Sequence, residues 1–223
     1  MKANRATRPL GVLLLVGSVA AAFAPAAALA QQKAEGGWYT GLSFGATQIG
    51  LTDNTLPIAG ATATTFSKDE SSTGFKIFGG YRFNKNFALE GGYTDLGKFN
   101  ASREAIAPFS GSLSRSTKAS GFDLSAVGII PMQNGFSLFG KVGAMYTMSE
   151  GSVSTSGALL LAPDVSTNPK RSEWNPKVGI GADYAFSNGL GLRLEYERIN
   201  NVGDSRTGEG NVGIWSLGLS KRY

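Results

Sequence analysis

The most restrictive feature of this chain is an alternation of apolar and polar residues that recurs in segments of about ten residues. In the clearest segment, four apolar residues alternate with four small or charged ones: Leu190, Gly191, Leu192, Arg193, Leu194, Glu195, Tyr196 and Glu197. A period of two is the pattern of a β-strand whose two faces meet different surroundings. After residue 30, no stretch of the sequence approaches the ~18 apolar residues of a membrane-spanning helix. The sequence therefore predicts an all-β fold.

Eight such segments predict eight strands, near residues 38–49, 73–83, 87–96, 118–130, 136–147, 173–186, 190–199 and 212–223. The connections between them alternate in length. Three are short and rich in turn residues (84–86, 131–135 and 187–189), and four are long and polar (50–72, 97–117, 148–172 and 200–211). In lipid, an open sheet edge would leave backbone groups unpaired. We therefore predict a closed, eight-stranded, antiparallel up-and-down transmembrane β-barrel with both chain ends on the side of the short turns.

The first part of the chain, residues 1–30, has the pattern of a secretory signal peptide. The positive start consists of Lys2, Arg5 and Arg8, and the apolar centre covers residues 10–24. The cleavage site is Ala28-Leu29-Ala30. A membrane anchor is the alternative, but the apolar run is short for a ~20-residue span. We expect the mature chain to begin at Gln31, with one outer-membrane barrel domain over residues 31–223.

Composition argues against several function classes. The formal net charge is +5, but three cations lie in the predicted signal peptide, so the mature chain is near neutral at about +2. No basic cluster indicates a nucleic-acid partner. The chain has no Cys and no His, so it cannot build a zinc site or a Ser-His or Cys-His nucleophile from them. Carboxylate or lysine chemistry stays open, but we expect no catalytic residues, no metal and no cofactor.

A soluble sandwich or a lipocalin-like barrel could use the same alternation, with the apolar face turned inward. The aromatic residues favour the membrane instead. Those that flank the short turns, or lie near the chain ends on that side, are Phe83, Phe87, Phe136, Phe186, Trp38 and Tyr223. A ring of aromatics at one end of a barrel is typical of a membrane-interface girdle. We therefore expect the apolar face to meet lipid and the polar face to line the lumen.

Three runs of sequence resemble the membrane domain of the OmpA-type small outer-membrane β-barrels. They are Gly37-Trp38-Tyr39-Thr40-Gly41, Gly79-Gly80-Tyr81-Arg82-Phe83-Asn84 and Ala88-Leu89-Glu90-Gly91-Gly92-Tyr93-Thr94-Asp95-Leu96-Gly97. These motifs are short and are shared with opacity-type porin-like and OmpW-like barrels, although the resemblance covers essentially the whole mature chain. It implies an integral place in the outer membrane of a Gram-negative bacterium, eight strands, and no catalytic activity.

The C-terminal run resembles the assembly signal of the same family. Trp215, Leu217, Leu219 and Tyr223 hold its pattern, whereas Lys221 stands where an aromatic or apolar residue is usual. The resemblance implies recognition by the barrel-assembly machinery and by periplasmic chaperones. Larger OmpA relatives append a peptidoglycan-binding domain, and we expect none after this barrel.

The strand faces predict a set of charged side chains inside the barrel: Lys76, Arg82, Glu90, Asp123, Lys141, Lys177, Asp183, Arg193, Glu195, Glu197 and Arg222. Cations and anions nearly balance in this set, as a lumen that pairs its charges requires. One interpretation is a network of ion pairs that plugs the barrel. The other is a narrow or gated pore whose barrier is the same network.

The function expected from these observations is structural or involves interactions at the cell surface, with a rigid barrel displaying four long extracellular loops. The alternative is a low-conductance, porin-like channel for small solutes. Expected partners are outer-membrane lipid and lipopolysaccharide, whose phosphates Lys170 and Arg171 could meet, and host or surface ligands bound by the loops. Both chain ends are expected in the periplasm.

Overall fold

The computed structural model of the protein describes residues 36–50, 63–107, 111–157, 167–202 and 210–223. The predicted signal peptide, residues 1–30, lies outside the described residues and stays a prediction. Across the described ranges no helix is both long and apolar enough to cross a membrane.

The described residues form nine strand segments, which close into a barrel with eight strand positions. They are β1 Gly37–Ile49, β2 Ala63–Asp69, β3 Ser71–Arg82, β4 Phe87–Ala107, β5 Gly111–Pro131, β6 Phe136–Gly157, β7 Lys170–Ala185, β8 Leu190–Val202 and β9 Gly210–Arg222. The ring runs β1-β3-β4-β5-β6-β7-β8-β9, and the pairing of β1 with β9 closes it. Every pairing is antiparallel. The predicted fold class is confirmed.

The second barrel position consists of two segments, β2 and β3, separated by Glu70. Strand β3 pairs with β1 on one side and with the first part of β4 on the other. Strand β2 continues beyond it along the far part of β4, from Asn100 to Ala107. The backbone N–H of Ile49 donates to the carbonyl oxygen of Glu70 at 2.9 Å, so β1 ends where β2 and β3 meet.

The two faces of the strands are reversed relative to a soluble barrel. On β8, Leu192 and Leu194 are 40% and 51% exposed, whereas the neighbouring Arg193 and Glu195 are 4% and 0% exposed. A soluble sandwich or lipocalin-like barrel would turn its leucines inward and its charges to water. The observed arrangement fits lipid outside and a polar lumen inside.

The strands extend further than the sequence predicts on the side away from the short turns. The segments 97–117 and 148–172, predicted as long loops, are mostly strand, because β4 continues to Ala107, β5 begins at Gly111 and β6 ends at Gly157. Similarly, β2 occupies part of the predicted loop 50–72, and β8 and β9 shorten the predicted loop 200–211. The predicted boundaries were wrong because the outward side chains of these strands lie beyond the lipid and need not be apolar, so that the alternation weakens. Cross-strand hydroxyl pairs support the ladder there, such as Ser112 and Ser156, whose Oγ atoms are 2.8 Å apart.

The barrel ends differ, and we name them by their connections. The turn end carries the connections 83–86, 132–135 and 186–189, and the loop end is opposite. At the turn end, Asn84 Oδ1 accepts hydrogen bonds from the backbone N–H groups of Asn86 and Phe87, at 2.8 and 2.9 Å. Such Asx turns are typical of tight hairpins. The three short connections are therefore confirmed.

Two aromatic girdles surround the barrel, where the sequence predicted one. The predicted turn-end aromatics are exposed, and Trp38 packs against Tyr81 with ring centroids 5.2 Å apart. The second girdle lies towards the loop end, where four rings stand opposite one another on successive strands: Tyr93, Phe122, Tyr146 and Trp174. Along β6, the stretch from Phe136 to Tyr146 covers roughly 25 Å of the barrel axis at ~3.3 Å per residue and ~40° tilt, the height of a lipid-facing band.

A bulge in β4 interrupts the register between Asp95 and Gly97. Gly97 has φ +85°, and its N–H donates to Asp95 Oδ1 at 2.7 Å. A Cβ at this position would also approach the Ser72 side chain and the Thr73 carbonyl oxygen. The bulge lies where β4 leaves the lipid-facing part of the barrel. It requires glycine because φ is positive and because a Cβ would be too close to its neighbours.

We expect Gly97→Ala to lower the free energy of unfolding by about 1–3 kcal/mol, because alanine adds left-handed strain and a close contact. The measurement is urea unfolding of the protein in lipid vesicles, followed by tryptophan fluorescence. Gly128→Ala on β5 is the matched control, since a Cβ there meets nothing within 4 Å. Equal effects of the two changes would contradict this account of the bulge.

Candidate functional site: the charged layer in the lumen

Nine of the eleven predicted lumen charges are buried, and they meet in one layer across the barrel. Strands β3 to β8 each contribute at least one: Lys76, Glu90, Asp123, Lys141, Lys177, Asp183, Arg193, Glu195 and Glu197. Each occupies an inward position because side chains alternate along its strand. Four cations and five anions therefore lie within the cross-section of a narrow barrel.

Lys76 on β3 lies among three glutamates. Its Nζ is 2.7 Å from Glu197 Oε1, 3.5 Å from Glu195 Oε2 and 3.6 Å from Glu90 Oε1. The pair with Glu197 has hydrogen-bond geometry. One ammonium group thus joins β3 to β4 and β8, which lie on different sides of the lumen.

Two further lysines extend the layer. Lys141 on β6 donates to Glu90 Oε1 at 2.5 Å and forms a second ion pair with Glu195. Lys177 on β7 contacts Asp123 Oδ2 at 2.9 Å and Glu197 Oε1 at 2.7 Å. Lys177 thus bridges two carboxylates. Lys76 and Lys141 each lie within 4.0 Å of both Glu195 and Glu197, and these two cations offset the repulsion between the neighbouring glutamates of β8.

Arg193 organises the turn-end side of the layer. Its Nε and Nη2 donate to the two carboxylate oxygens of Asp183, at 2.8 and 3.1 Å. Its Nη1 donates to Glu90 Oε2 at 2.7 Å, and the same oxygen accepts a hydrogen bond from the Tyr39 hydroxyl at 2.9 Å. A guanidinium with a forked contact is held more rigidly than an ammonium group. Arg193 therefore fixes Glu90 and Asp183 relative to each other.

Arg82 and Arg222 do not join this layer. Both are half-buried and line a cavity of about 320 Å³ at the turn end. Arg82 Nη2 donates to the carbonyl oxygen of Lys85 at 3.1 Å. They lie at the mouth of the barrel, next to the Asp183 and Arg193 side of the layer.

Sequence reasoning missed the apolar clusters on both sides of the charged layer. Towards the turn end, six buried residues pack together: Tyr39, Phe78, Ala88, Val127, Ile129 and Phe139. Towards the loop end the cluster consists of Ile49, Leu96, Phe99, Ala119, Met145, Ile199, Val202, Val212 and Ile214. The sequence did contain a signal for these clusters, because apolar residues such as Phe78 and Phe139 occupy inward positions on their strands.

The aromatic rings also contact the charged layer directly. The guanidinium carbon of Arg193 lies 4.5 Å from the Phe78 ring centroid and 4.7 Å from that of Phe139. Lys141 Nζ lies 5.3 Å from the Phe139 centroid. A cation over an aromatic face is attracted by the ring quadrupole, and more strongly when water is excluded. The turn-end cluster thus stabilises the cations that it covers.

Among the residues that the structure describes, this arrangement leaves little space at the level of the charged layer. A cavity bordered by Lys76, Thr94 and Glu197 and another bordered by Arg82, Asp183 and Arg193 measure about 10 Å³ each. That is roughly the volume of one water-sized sphere. In the part of the chain that the structure describes, no group of three or more Asp, Glu, His or Cys side chains is arranged to hold a metal ion.

The predicted assembly-signal residues lie on the outer face of β9. Trp215, Leu217 and Leu219 are more than half exposed, and Tyr223 follows the strand at the turn end. The backbone N–H of Tyr223 donates to the carbonyl oxygen of Trp38 at 3.0 Å. Lys221, the departure from the family pattern, donates to the carbonyl oxygen of Asn188 at 2.8 Å. A lipid-facing role and a recognition role are both compatible with this placement.

Comparison with known families agrees with this barrel. The profile of the OmpA-like transmembrane domain matches residues 33–223. The chain belongs to this family. The match spans all the strands described above, and the resemblance inferred from the sequence is confirmed. This OmpA-like chain is an integral outer-membrane β-barrel.

Its relatives include Outer membrane protein A of Yersinia pseudotuberculosis, which is 29% identical over 189 residues, covering 83% of this chain and 48% of that protein. Outer membrane protein A of Shigella flexneri is 28% identical over 210 residues, covering 92% of this chain and 54% of that protein. The chain thus spans about half the length of these relatives. Among solved structures, the outer-membrane protein OprG from Pseudomonas aeruginosa aligns with a TM-score of 0.48 at 17% identity, covering 86% of this chain and 97% of that one.

We expect Arg193→Met to lower the free energy of unfolding by about 3–5 kcal/mol, because it leaves two buried carboxylates without their guanidinium. Unfolding in urea, read from the heat-dependent mobility shift of the barrel on electrophoresis, measures the effect. Arg198→Met is the control on the same strand, since Arg198 is exposed and its Nε donates to Asn200 Oδ1. A loss no larger than that of the control would show that the buried carboxylates do not depend on Arg193 for their pairing.

Proposed function

We propose that this barrel is a sealed scaffold with a structural or surface-interaction role and no catalytic activity. The observation that carries the proposal is how little space the described residues leave at the charged layer, where nine buried charges lie between two apolar clusters. A solute passing through would have to displace paired charges and both clusters. The relatives, which are named as outer membrane proteins and not as enzymes, support the same role.

In this proposal the loop end faces the cell exterior and the turn end, with both chain termini, faces the periplasm. The short connections at one end and the extended strands at the other support this orientation, since outer-membrane barrels keep their short turns in the periplasm. The loop end then meets lipopolysaccharide of the outer leaflet and host or other surface ligands. The barrel-assembly machinery and periplasmic chaperones are its partners during export.

A channel is the second candidate, and one feature of the charged layer favours it. Lys76 and Lys141 each lie within 4.0 Å of the same three glutamates, Glu90, Glu195 and Glu197. Ion pairs with several acceptors can exchange partners without leaving a charge unpaired. Such exchange provides a route to a narrow, low-conductance opening for small solutes.

Single-channel recording in planar bilayers separates the two candidates. We expect silence from the wild-type protein and from Arg198→Ala, whose side chain points outward. Glu90→Ala and Arg193→Ala break the layer, and intermittent openings in these two variants alone fit the sealed scaffold. Steady wild-type conductance whose size changes in either variant would refute the scaffold and support the channel.

The proposed assembly signal has its own test. We expect Tyr223→Ser to reduce the amount of folded protein in the outer membrane severalfold, because the terminal aromatic is part of the recognised pattern. Trp38→Ser is the control, since Trp38 is an exposed aromatic of the same girdle but lies on β1. Quantitative immunoblotting of membrane fractions gives the measurement. Equal losses of folded protein in both variants would mean that the loss of an aromatic contact with lipid, and not the loss of recognition, reduces the amount in the membrane.

A further inference from the structure

The outer face of the extended strands at the loop end carries two tiers of polar side chains beyond the loop-end girdle. The surface consists of β2, residues 98–107 of β4, residues 111–118 of β5 and residues 150–157 of β6, and we call it the extension sheet. It rises beyond the loop-end girdle. Those of its outward side chains that the structure describes are polar and stand in register across the strands.

The first tier is a row of charges. Lys98, Lys118, Glu150 and Lys170 stand opposite one another on β4, β5, β6 and β7, and all four are exposed. Lys170 Nζ binds Glu150 Oε1 at 2.8 Å. Lys98 and Lys118 are direct cross-strand neighbours of like charge. Glu150, the anion opposite Lys118 on β6, attracts Lys118 electrostatically but forms its ion pair with Lys170, and among the described residues neither Lys98 nor Lys118 has an ion pair within 4.0 Å. Like charges directly opposite each other are unfavourable unless an anion lies between them.

The depth of this row identifies the kind of anion. Lys118 lies four residues beyond Phe122 of the loop-end girdle, which is roughly 10 Å along the barrel axis for tilted strands. Girdle aromatics lie at the boundary of the hydrocarbon, and the polar head groups occupy the next several ångströms. The backbone of the two lysines lies just beyond this layer, and their long flexible side chains let both ammonium groups reach back to the level of lipid head-group phosphates. Their Cβ atoms start about 4.5–5.5 Å apart, so both can reach one phosphate.

The tier beyond the lysines consists of small hydroxyl and amide side chains and one carboxylate, that of Asp69. Two successive rungs of the ladder are Asp69, Asn100, Ser116 and Ser152, and then Ser67, Ser102, Ser114 and Ser154. They line a surface cavity of about 380 Å³. A surface that offers many donors and acceptors and little apolar area fits a hydroxyl-rich ligand such as a saccharide.

We propose that the extension sheet binds one molecule of lipopolysaccharide. A lipid A phosphate lies between Lys98 and Lys118, the core saccharide contacts the serine-lined cavity, and acyl chains pack on the girdle at Tyr93 and Phe122. Apolar chain, phosphate and sugar follow one another in this lipid in the same order as the girdle, the lysine pair and the serine-lined cavity on the protein. The inference rests on the proposed orientation, in which the loop end faces the outer leaflet.

The phosphate contact is tested with protein purified from outer membranes, by measuring the affinity for diphosphorylated lipid A in detergent micelles. We expect Lys98→Gln with Lys118→Gln to weaken binding about tenfold, because two charge-assisted contacts are lost. Lys85→Gln with Lys221→Gln removes the same charge at the turn end and should leave the affinity unchanged. For lipid A that lacks both phosphates, the affinity of the wild-type protein should be as low as the affinity of the first variant for diphosphorylated lipid A.

Two outcomes would overturn the proposal. One is an equal affinity of all three proteins for diphosphorylated lipid A. The other is equally tight binding of phosphatidylglycerol, lost in the same variant, since a general attraction to anionic lipid would then explain the lysines.

The saccharide contact is tested separately with lipopolysaccharide that retains its core sugars. We expect Ser116→Ala to weaken this binding about threefold and to leave the binding of lipid A alone unchanged. Ser187→Ala, at an exposed turn-end hydroxyl, should change neither. An equal loss for both lipids, or none, would remove the saccharide from the proposal.

Labelling intact cells distinguishes a failure of this inference from a failure of the proposed orientation. A cysteine placed at Ser154 should react with an impermeant reagent added outside, whereas one placed at Lys85 should not. Labelling at position 154 but not at position 85, together with lipid affinities that the substitutions leave unchanged, would refute the lipid site alone. Labelling at position 85 but not at position 154 would refute the orientation on which the site depends.

Discussion

The requirement that every backbone N–H and C=O group be paired in lipid determines the form of this barrel. A hydrocarbon environment provides no water for an open sheet edge, so the first and last strands must join. They do so along an eleven-residue ladder from Tyr39 to Ile49 on β1, opposite β9. Once the ring is closed, successive side chains along each strand face lipid and the lumen in turn. The girdles and the charged layer both follow from that division.

The charged layer is better understood as a determinant of register than as a large source of stability. Replacing buried ion pairs by apolar residues is often neutral for stability, because desolvation offsets the Coulomb attraction. However, a slip of one residue in β8 would turn Arg193, Glu195 and Glu197 towards lipid and the leucines inward. The penalty for charges in hydrocarbon makes every such alternative unfavourable. The layer therefore selects one pairing of the strands from many that the repetitive, glycine-rich sequence would otherwise permit.

The sequence predicted those parts of the fold in which each face of a strand meets a different medium. Alternation is strong from Leu190 to Glu197, and the closed barrel, the short turns and the inward set of charges followed from it. It could not predict the extent of the strands near Ser112 and Ser156, because the outward side chains there lie beyond the lipid and need not be apolar, so that the alternation weakens. The loop-end girdle was missed for another reason. Tyr93, Phe122 and Tyr146 are far apart in the chain, and only the cross-strand register brings them together. The same limit applies to the lysine pair at Lys98 and Lys118, whose register includes the bulge at Gly97.

The contacts within the charged layer connect distant parts of the chain, which has a consequence for the order of folding events. Lys76 and Glu197 are 121 residues apart, and Glu90 and Arg193 are 103 residues apart. Hairpins such as β5–β6 can form early, because their contacts are local. The early half of the barrel contains Lys76 and Glu90, whose shortest ion pairs, to Glu197, Lys141 and Arg193, form only when β6 to β8 arrive. Until then these side chains need water, so the growing sheet must keep a hydrated interior. Dehydration of the lumen and closure of the ring then become one late, cooperative step.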